Sequence, residues 1–177
     1  MDVKQCPIKL CMWQSFQCQP CPFMPRGFTL IRHNELRDVT AELLQQACHN
    51  VKIEPPLEPL TGETFTQRST NITQEARLDV SARGVFVAYQ KVFADIRVVN
   101  PIAMRYVNQT PEQILEGNAN EKKRHYCKRV LEIENATFSP LIFTTNGGMG
   151  REYQVFYNRL AQILATKWDT HTSQTTA

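Results

Sequence analysis

At 177 residues, 42% hydrophobic and 21% charged, the chain has the length and balance of one globular domain with enough material for a core. A net charge of only +3 does not announce nucleic-acid binding, and no run approaches the roughly 18 apolar residues of a membrane span. The first residues lack the continuous apolar core of a secretory signal, so an intracellular protein with no membrane partner is expected.

Residues 1–27 are rich in Cys and Pro and show no clear period, which places them as a leader ahead of the fold. Cys6, Cys11, Cys18 and Cys21 crowd this leader, while Cys48 and Cys127 stand alone. Clustered cysteines in an intracellular protein suggest zinc more than disulfides, and Cys18 and Cys21 form a CxxC half-site. Six residues between Cys11 and Cys18 make a tight zinc loop, so a disordered leader with free thiols is the alternative. The sequons at Asn71, Asn108 and Asn135 would matter only in a secreted protein.

Arg32–His49 has an amphipathic helical pattern, with Leu36, Val39, Leu43, Leu44 and Ala47 on one face. Val51–Ile53 suits a short strand, and Glu54–Thr73, with Pro55, Pro56, Pro59 and Gly62, a long polar loop. Ala76–Ser81 and Val92–Val99 read as two strands of a hairpin joined near Arg83-Gly84. Pro111 is well placed to begin a helix that runs through a basic block to about Asn135, with Gly117 and Asn118–Asn120 as possible interruptions. Pro140–Thr145 suits a central buried strand, Gly147–Gly150 a turn or a phosphate cradle, and Glu152–Trp168 a last helix. The stripe of that helix is Val155, Phe156, Leu160, Ile163 and Leu164, and a polar tail, residues 170–177, follows. The expected class is α/β: a mixed sheet flanked by helices, in the order αβββαβα.

Each strand of the hairpin carries one acid, Asp79 and Asp95, and a hairpin would set them side by side. Asp is disfavoured in strands and a buried carboxylate is costly without a partner. A divalent metal ion is one such partner; Arg77, Arg83 and Arg97 are the others within reach of the sequence. Metal-assisted phosphodiester cleavage needs carboxylates to hold magnesium and a cation to steady developing charge. Asp79 and Asp95 suit the first task, with the Ile96 carbonyl as a further oxygen donor. Arg97, two residues on and on the same strand face, suits the second.

On the second helix, Ala119, Tyr126, Val130 and Ile133 share a sector, with Lys123 inside it and Lys122 at its edge. An inward lysine needs an anionic partner or must snorkel to water. Arg124, Lys128 and Arg129 read as a solvated face, or as phosphate contacts if DNA binds, with Arg32 as a further candidate DNA contact. Glu35, with Arg32 and His33 beside it, opens the first helix; it points to the sheet edge or serves as a favourable acid in the first turn.

RHNELRD, ARLDVSARG, FADIRVVNP, EKKRHY and FSPLIFTTNGGMG form an ordered series. It resembles the restriction-like endonuclease domain found downstream of the reverse transcriptase in non-LTR retrotransposon polyproteins, a branch of the PD-(D/E)XK nuclease superfamily. The resemblance covers about Gly27 to Trp168. It implies a nuclear, magnesium-dependent enzyme that nicks DNA, with no small-molecule cofactor. It implies metal ligation by Asp79 and Asp95, with Glu35 as a helix-borne acid near the metal. It also implies a catalytic lysine displaced from the strand to the helix, where Lys122 and Lys123 precede Tyr126. Arg97 at the strand lysine position and Leu78 in place of proline depart from the pattern. The leader lacks the histidine of a Cys/His zinc knuckle, and the reverse transcriptase is absent. A domesticated, catalytically dead nucleic-acid binder and a degenerate retroelement fragment are the rival readings.

Overall fold

The computed structural model describes residues 28–58 and 76–168. The expected leader with its four cysteines, most of the Glu54–Thr73 loop with Asn71, and the tail lie outside the described residues. The elements run α1 (Phe28–Ala47), β1 (His49–Ile53), β2 (Val80–Arg83), β3 (Lys91–Val99), a 3-10 turn (Met104–Tyr106), α2 (Pro111–Glu132), β4 (Thr137–Thr144) and α3 (Arg151–Trp168). The architecture is mixed α/β. Four strands lie in the order β1-β2-β3-β4; the first two pairings are antiparallel, and β3 pairs β4 in parallel.

Two apolar faces sandwich this sheet. Val92, Ala94, Ile96 and Val98 of β3 pack with Leu44 of α1 and Phe156, Leu160 and Leu164 of α3. On the opposite face, Phe93 packs with Val130 and Tyr126, and Val99 with Ile114 and Ala119, all of α2. Pleating sends successive side chains to opposite faces, so β3 serves both layers at once.

Local chemistry sets the helix bounds. Thr110 caps α2 through a reciprocal pair with Gln113: the Thr110 hydroxyl accepts from the Gln113 N–H at 3.3 Å, and the Gln113 side chain accepts from the Thr110 N–H at 2.9 Å. Pro111 follows at the first helical position, where its missing donor costs nothing. The helix continues through Gly117 and Asn118–Asn120 without interruption. Asn118 is buried there, donating to the Ile114 carbonyl at 2.7 Å and to the Tyr106 hydroxyl at 3.1 Å.

Several expectations need correction. Asp79 does not lie in a strand: β2 begins at Val80, and residues 76–78 make only an isolated bridge, Arg77 with Pro56. The hairpin connection is the longer stretch 84–90, with Gly84 at φ +96. His49 belongs to β1, not to the first helix. Val39 and Val155 are half exposed. Their places are taken by residues with less obvious patterning. Thr40 is buried, and its hydroxyl stands 2.5 Å from both the Leu36 carbonyl and the Tyr157 hydroxyl, tying α1 to α3. Ile133, at 38% exposure, lies outside the α2 core sector.

The Gly147–Gly150 segment is a turn, and three of its four N–H donors are already used within it and against β4, which argues against a phosphate cradle. Gly147 N–H bonds the Thr144 carbonyl at 3.1 Å, Gly148 N–H the Thr144 hydroxyl at 2.6 Å, and Gly150 N–H the Ile142 carbonyl at 2.9 Å. A Cβ on Gly148 would stand 2.6 Å from that hydroxyl oxygen, so glycine is required for the close approach. The same turn covers the outer side of β4 at Ile142 and Thr144, the latter donating to the Gly148 carbonyl at 2.8 Å. Backbone groups alternate sides along a strand, so Pro140 also faces outward, where its missing N–H breaks no ladder bond.

Candidate active site

Val80 pairs with Ala94 and Ser81 with Phe93, so the antiparallel register carried back one residue sets Asp79 opposite Asp95. Asp79 lies just ahead of β2; the Glu54 N–H holds its carbonyl at 2.8 Å, and β3 anchors its side chain. Asp79 Oδ2 accepts from the Ile96 N–H at 2.5 Å. The carbonyl of Ile96 faces the same side of β3 as its N–H, towards the end of the sheet that β2 leaves uncovered.

Asp95 is buried, with 7% of its side chain exposed, on the β3 face that meets α2. The Lys122 ammonium stands 2.5 Å from its Oδ2 as an ion pair. That close contact gives the buried oxygen the charged partner it needs. Burial pushes the Asp95 carboxyl up, Lys122 pulls it back, and the charge of Asp79 adds to the rise. Lys122 also lies 5.6 Å from the centre of the Tyr126 ring, a turn further along α2. Tyr126 is part-buried against Phe138, and burial raises its phenol.

The first helix contributes His33 and not Glu35. His33 Nε2 lies 3.2 Å from Asp79 Oδ2, and this hydrogen bond is the main reason the imidazole is raised above its ordinary value. Glu35 is exposed and, among the described residues, makes no hydrogen bond or ion pair with either acid. One helical step of about 100° separates neighbouring side chains, and two steps carry Glu35 off the sheet side.

Other candidates are placed elsewhere by specific partners. Arg97 shares the Asp95 face, but its guanidinium is held by Glu121 at 2.6 and 3.4 Å and by Asn118 at 3.0 Å. Lys123 pairs with Glu152 at the start of α3 instead of entering the site. Arg129 is buried and donates to the Glu58 carbonyl, so it belongs to no solvated face. Arg32 donates to the Thr145 carbonyl at 2.5 Å, at the end of β4. Arg124 and Lys128 are exposed. A groove lined by Phe86, Val87, Phe138, Val155 and Glu152, among others, shares no residue with this cluster.

No family model matches the chain, and no curated protein matches it either. The site therefore stands on its own chemistry. It gathers two facing carboxylates, one lysine, one histidine and one tyrosine from α1, β3, α2 and the residue preceding β2. Among the described residues, no three His, Cys, Asp or Glu side chains form a group that would hold a metal ion by themselves. Magnesium requires fewer: one or two carboxylates and retained waters suffice. Asp79 and Asp95 with the Ile96 carbonyl would make a hard, all-oxygen donor set of that kind, and Asp79 Oδ1 takes no hydrogen bond among the described residues because both donors meet Oδ2. Among the described residues no helix is long and apolar enough to cross a membrane.

Proposed function

We propose that the chain is a magnesium-dependent endonuclease that nicks DNA, on a restriction-endonuclease-like core of retroelement origin. The observation that carries this reading is the meeting of Asp79, Asp95 and Lys122, from three separate parts of the chain. Asp79 and Asp95 would hold the ion. Bound magnesium would supply Lewis-acid polarisation of the scissile phosphate.

The protein's own groups supply the rest. Lys122 keeps one fixed cation against Asp95, where a phosphate oxygen gaining negative charge would find it already oriented. Tyr126 lines that ammonium with an aromatic face and limits its swing. Arg97 takes no part in this reading because Glu121 and Asn118 occupy its donors. Lys122 thereby answers the departure at the strand position. Arg124 and Lys128, exposed on α2, are suited to backbone phosphates of DNA.

One observation favours a second reading, a catalytically inactive nucleic-acid-binding module: the acids already have partners in the fold, Asp95 the Lys122 ammonium and Asp79 the His33 ring. A plasmid assay separates the two. The enzyme nicks supercoiled DNA only with magnesium, and Asp95→Ala abolishes nicking while DNA binding survives. The binder shows salt-sensitive association and no nicking, weakened when Arg124 and Lys128 are neutralised. Nicking that persists unchanged in Asp95→Ala rules out this site.

A further inference from the structure

We infer that His33 is the positioning residue that aims Asp79, an inference that rests on the nuclease reading above. The Asp79 carbonyl accepts from the Glu54 N–H at 2.8 Å, which holds its backbone and leaves its side chain to be aimed by other groups. Both of its donors converge on a single oxygen: the Ile96 N–H at 2.5 Å and His33 Nε2 at 3.2 Å both meet Oδ2. Oδ1 takes no hydrogen bond among the described residues, although only 15% of the side chain is exposed. One donor would leave the carboxylate free to turn about its Cβ–Cγ bond. Two donors, one from a strand and one from a helix, fix its plane and leave Oδ1 as the oxygen available to a cation.

Asp79 offers an acceptor, so Nε2 donates in this bond. Asn34 Oδ1 lies 3.4 Å from Nδ1 on the other side of the ring and accepts there only when Nδ1 carries a proton too. Asp79 and Asn34 are the groups within hydrogen-bond distance of this ring; Asp95 acts on it only through its charge. Groups that orient a metal-binding side chain without touching the metal typically change metal affinity about 10- to 100-fold when removed. His33 has that relation to Asp79.

The test is a titration of the protein with manganese alone, followed by electron paramagnetic resonance of the free ion, beside magnesium-dependent nicking. His33→Ala is expected to weaken manganese binding about 10- to 100-fold with an unchanged melting profile. His33→Gln puts an amide N–H where Nε2 stood and is expected to restore affinity to within a few-fold. If the alanine variant fails to fold, His33→Asn serves instead, since its amide is too short to reach Asp79. Unchanged affinity in the alanine or asparagine variant overturns the role of His33 and leaves the nuclease reading intact. A glutamine variant as weak as alanine overturns it as well, because a donor at that position is then not what matters. A wild-type protein that neither binds manganese nor nicks DNA overturns both.

Discussion

The two faces of β3 carry different burdens. Val92, Ala94, Ile96 and Val98 meet α1 and α3 and are wholly apolar, whereas Phe93 and Val99 on the other face bracket two charged residues, Asp95 and Arg97. The charges are tolerated on that face because α2 delivers an opposite charge to each, Lys122 to Asp95 and Glu121 to Arg97. Alternation along one strand thus separates packing from chemistry, with a single residue step as the boundary.

Substitution at neighbouring positions is the most direct way to break that separation. Asp95→Asn should lower nicking by about 1,000-fold or more, since metal assistance is worth several kcal/mol and each 1.36 kcal/mol is tenfold. The fold should lose little. Burial raises the Asp95 carboxyl, and a folded value above the unfolded one near 3.8 means that ionising it costs stability at neutral pH. A large drop in the unfolding midpoint of this variant would show that the α2 face carries structural weight after all.

Ile96→Ala is the converse experiment. The side chain is 2% exposed on the packing face, so its loss should cost about 2–5 kcal/mol by denaturant unfolding, while the folded fraction keeps its nicking rate. A folded but inactive Ile96→Ala protein would mean that the faces are not independent.

Two consecutive lysines sharpen the same comparison. Lys122→Met should reduce nicking about 100- to 1,000-fold, the usual cost of losing one oriented group at developing charge. Lys123→Met should leave nicking alone and change stability by about 1 kcal/mol or less, because its pair with Glu152 is partly exposed. Equal losses in both variants would remove the assignment to Lys122.

The smallest expected effect belongs to Arg97. Its bond lowers the Glu121 carboxyl, so the pair stabilises the fold fully above the ordinary carboxylate value of 4.5 and less as pH falls through the depressed one. Thermal melts of Glu121→Gln should show a shallower acid decline than wild type. Parallel profiles would mean that solvent screens the pair completely.

The parts of this molecule that sequence displays are those governed by short-range rules. Thr110-Pro111 announces a helix start, Val92–Val99 a strand, and PLIFTT a buried one, because caps, pleat and apolar runs act within a few residues. Asp79 and Asp95 stood out as acids beside apolar runs. What stayed hidden depends on contacts far along the chain. Lys122 and Lys123 are one helical step apart, and the polar residues around Asn118 leave the phase of α2 undetermined until Asn118 is seen bonded to Tyr106. His33 joins the site only because α1 crosses the start of β2. Arg129 looks solvated until Glu58, 71 residues earlier, lays its carbonyl over it. Thr40 breaks the apolar stripe of α1 yet is buried, because Tyr157 offers its hydroxyl a partner from α3.

Pro140 bears on how this protein meets copies of itself. A β-sheet lengthens whenever its last strand offers an unbroken row of donors and acceptors, and that is how folded chains seed fibres. On β4 the row is interrupted by an imide nitrogen at Pro140 and then capped from Ile142 onward by the glycine turn. At the other margin, β1 is five residues long and its register slips between His49 and Lys52, with Asn50 at φ 52. Neither border gives an incoming strand a straight stretch to follow. The sheet is therefore terminated at both ends, and crowding this domain should not convert it into a template for its own polymer.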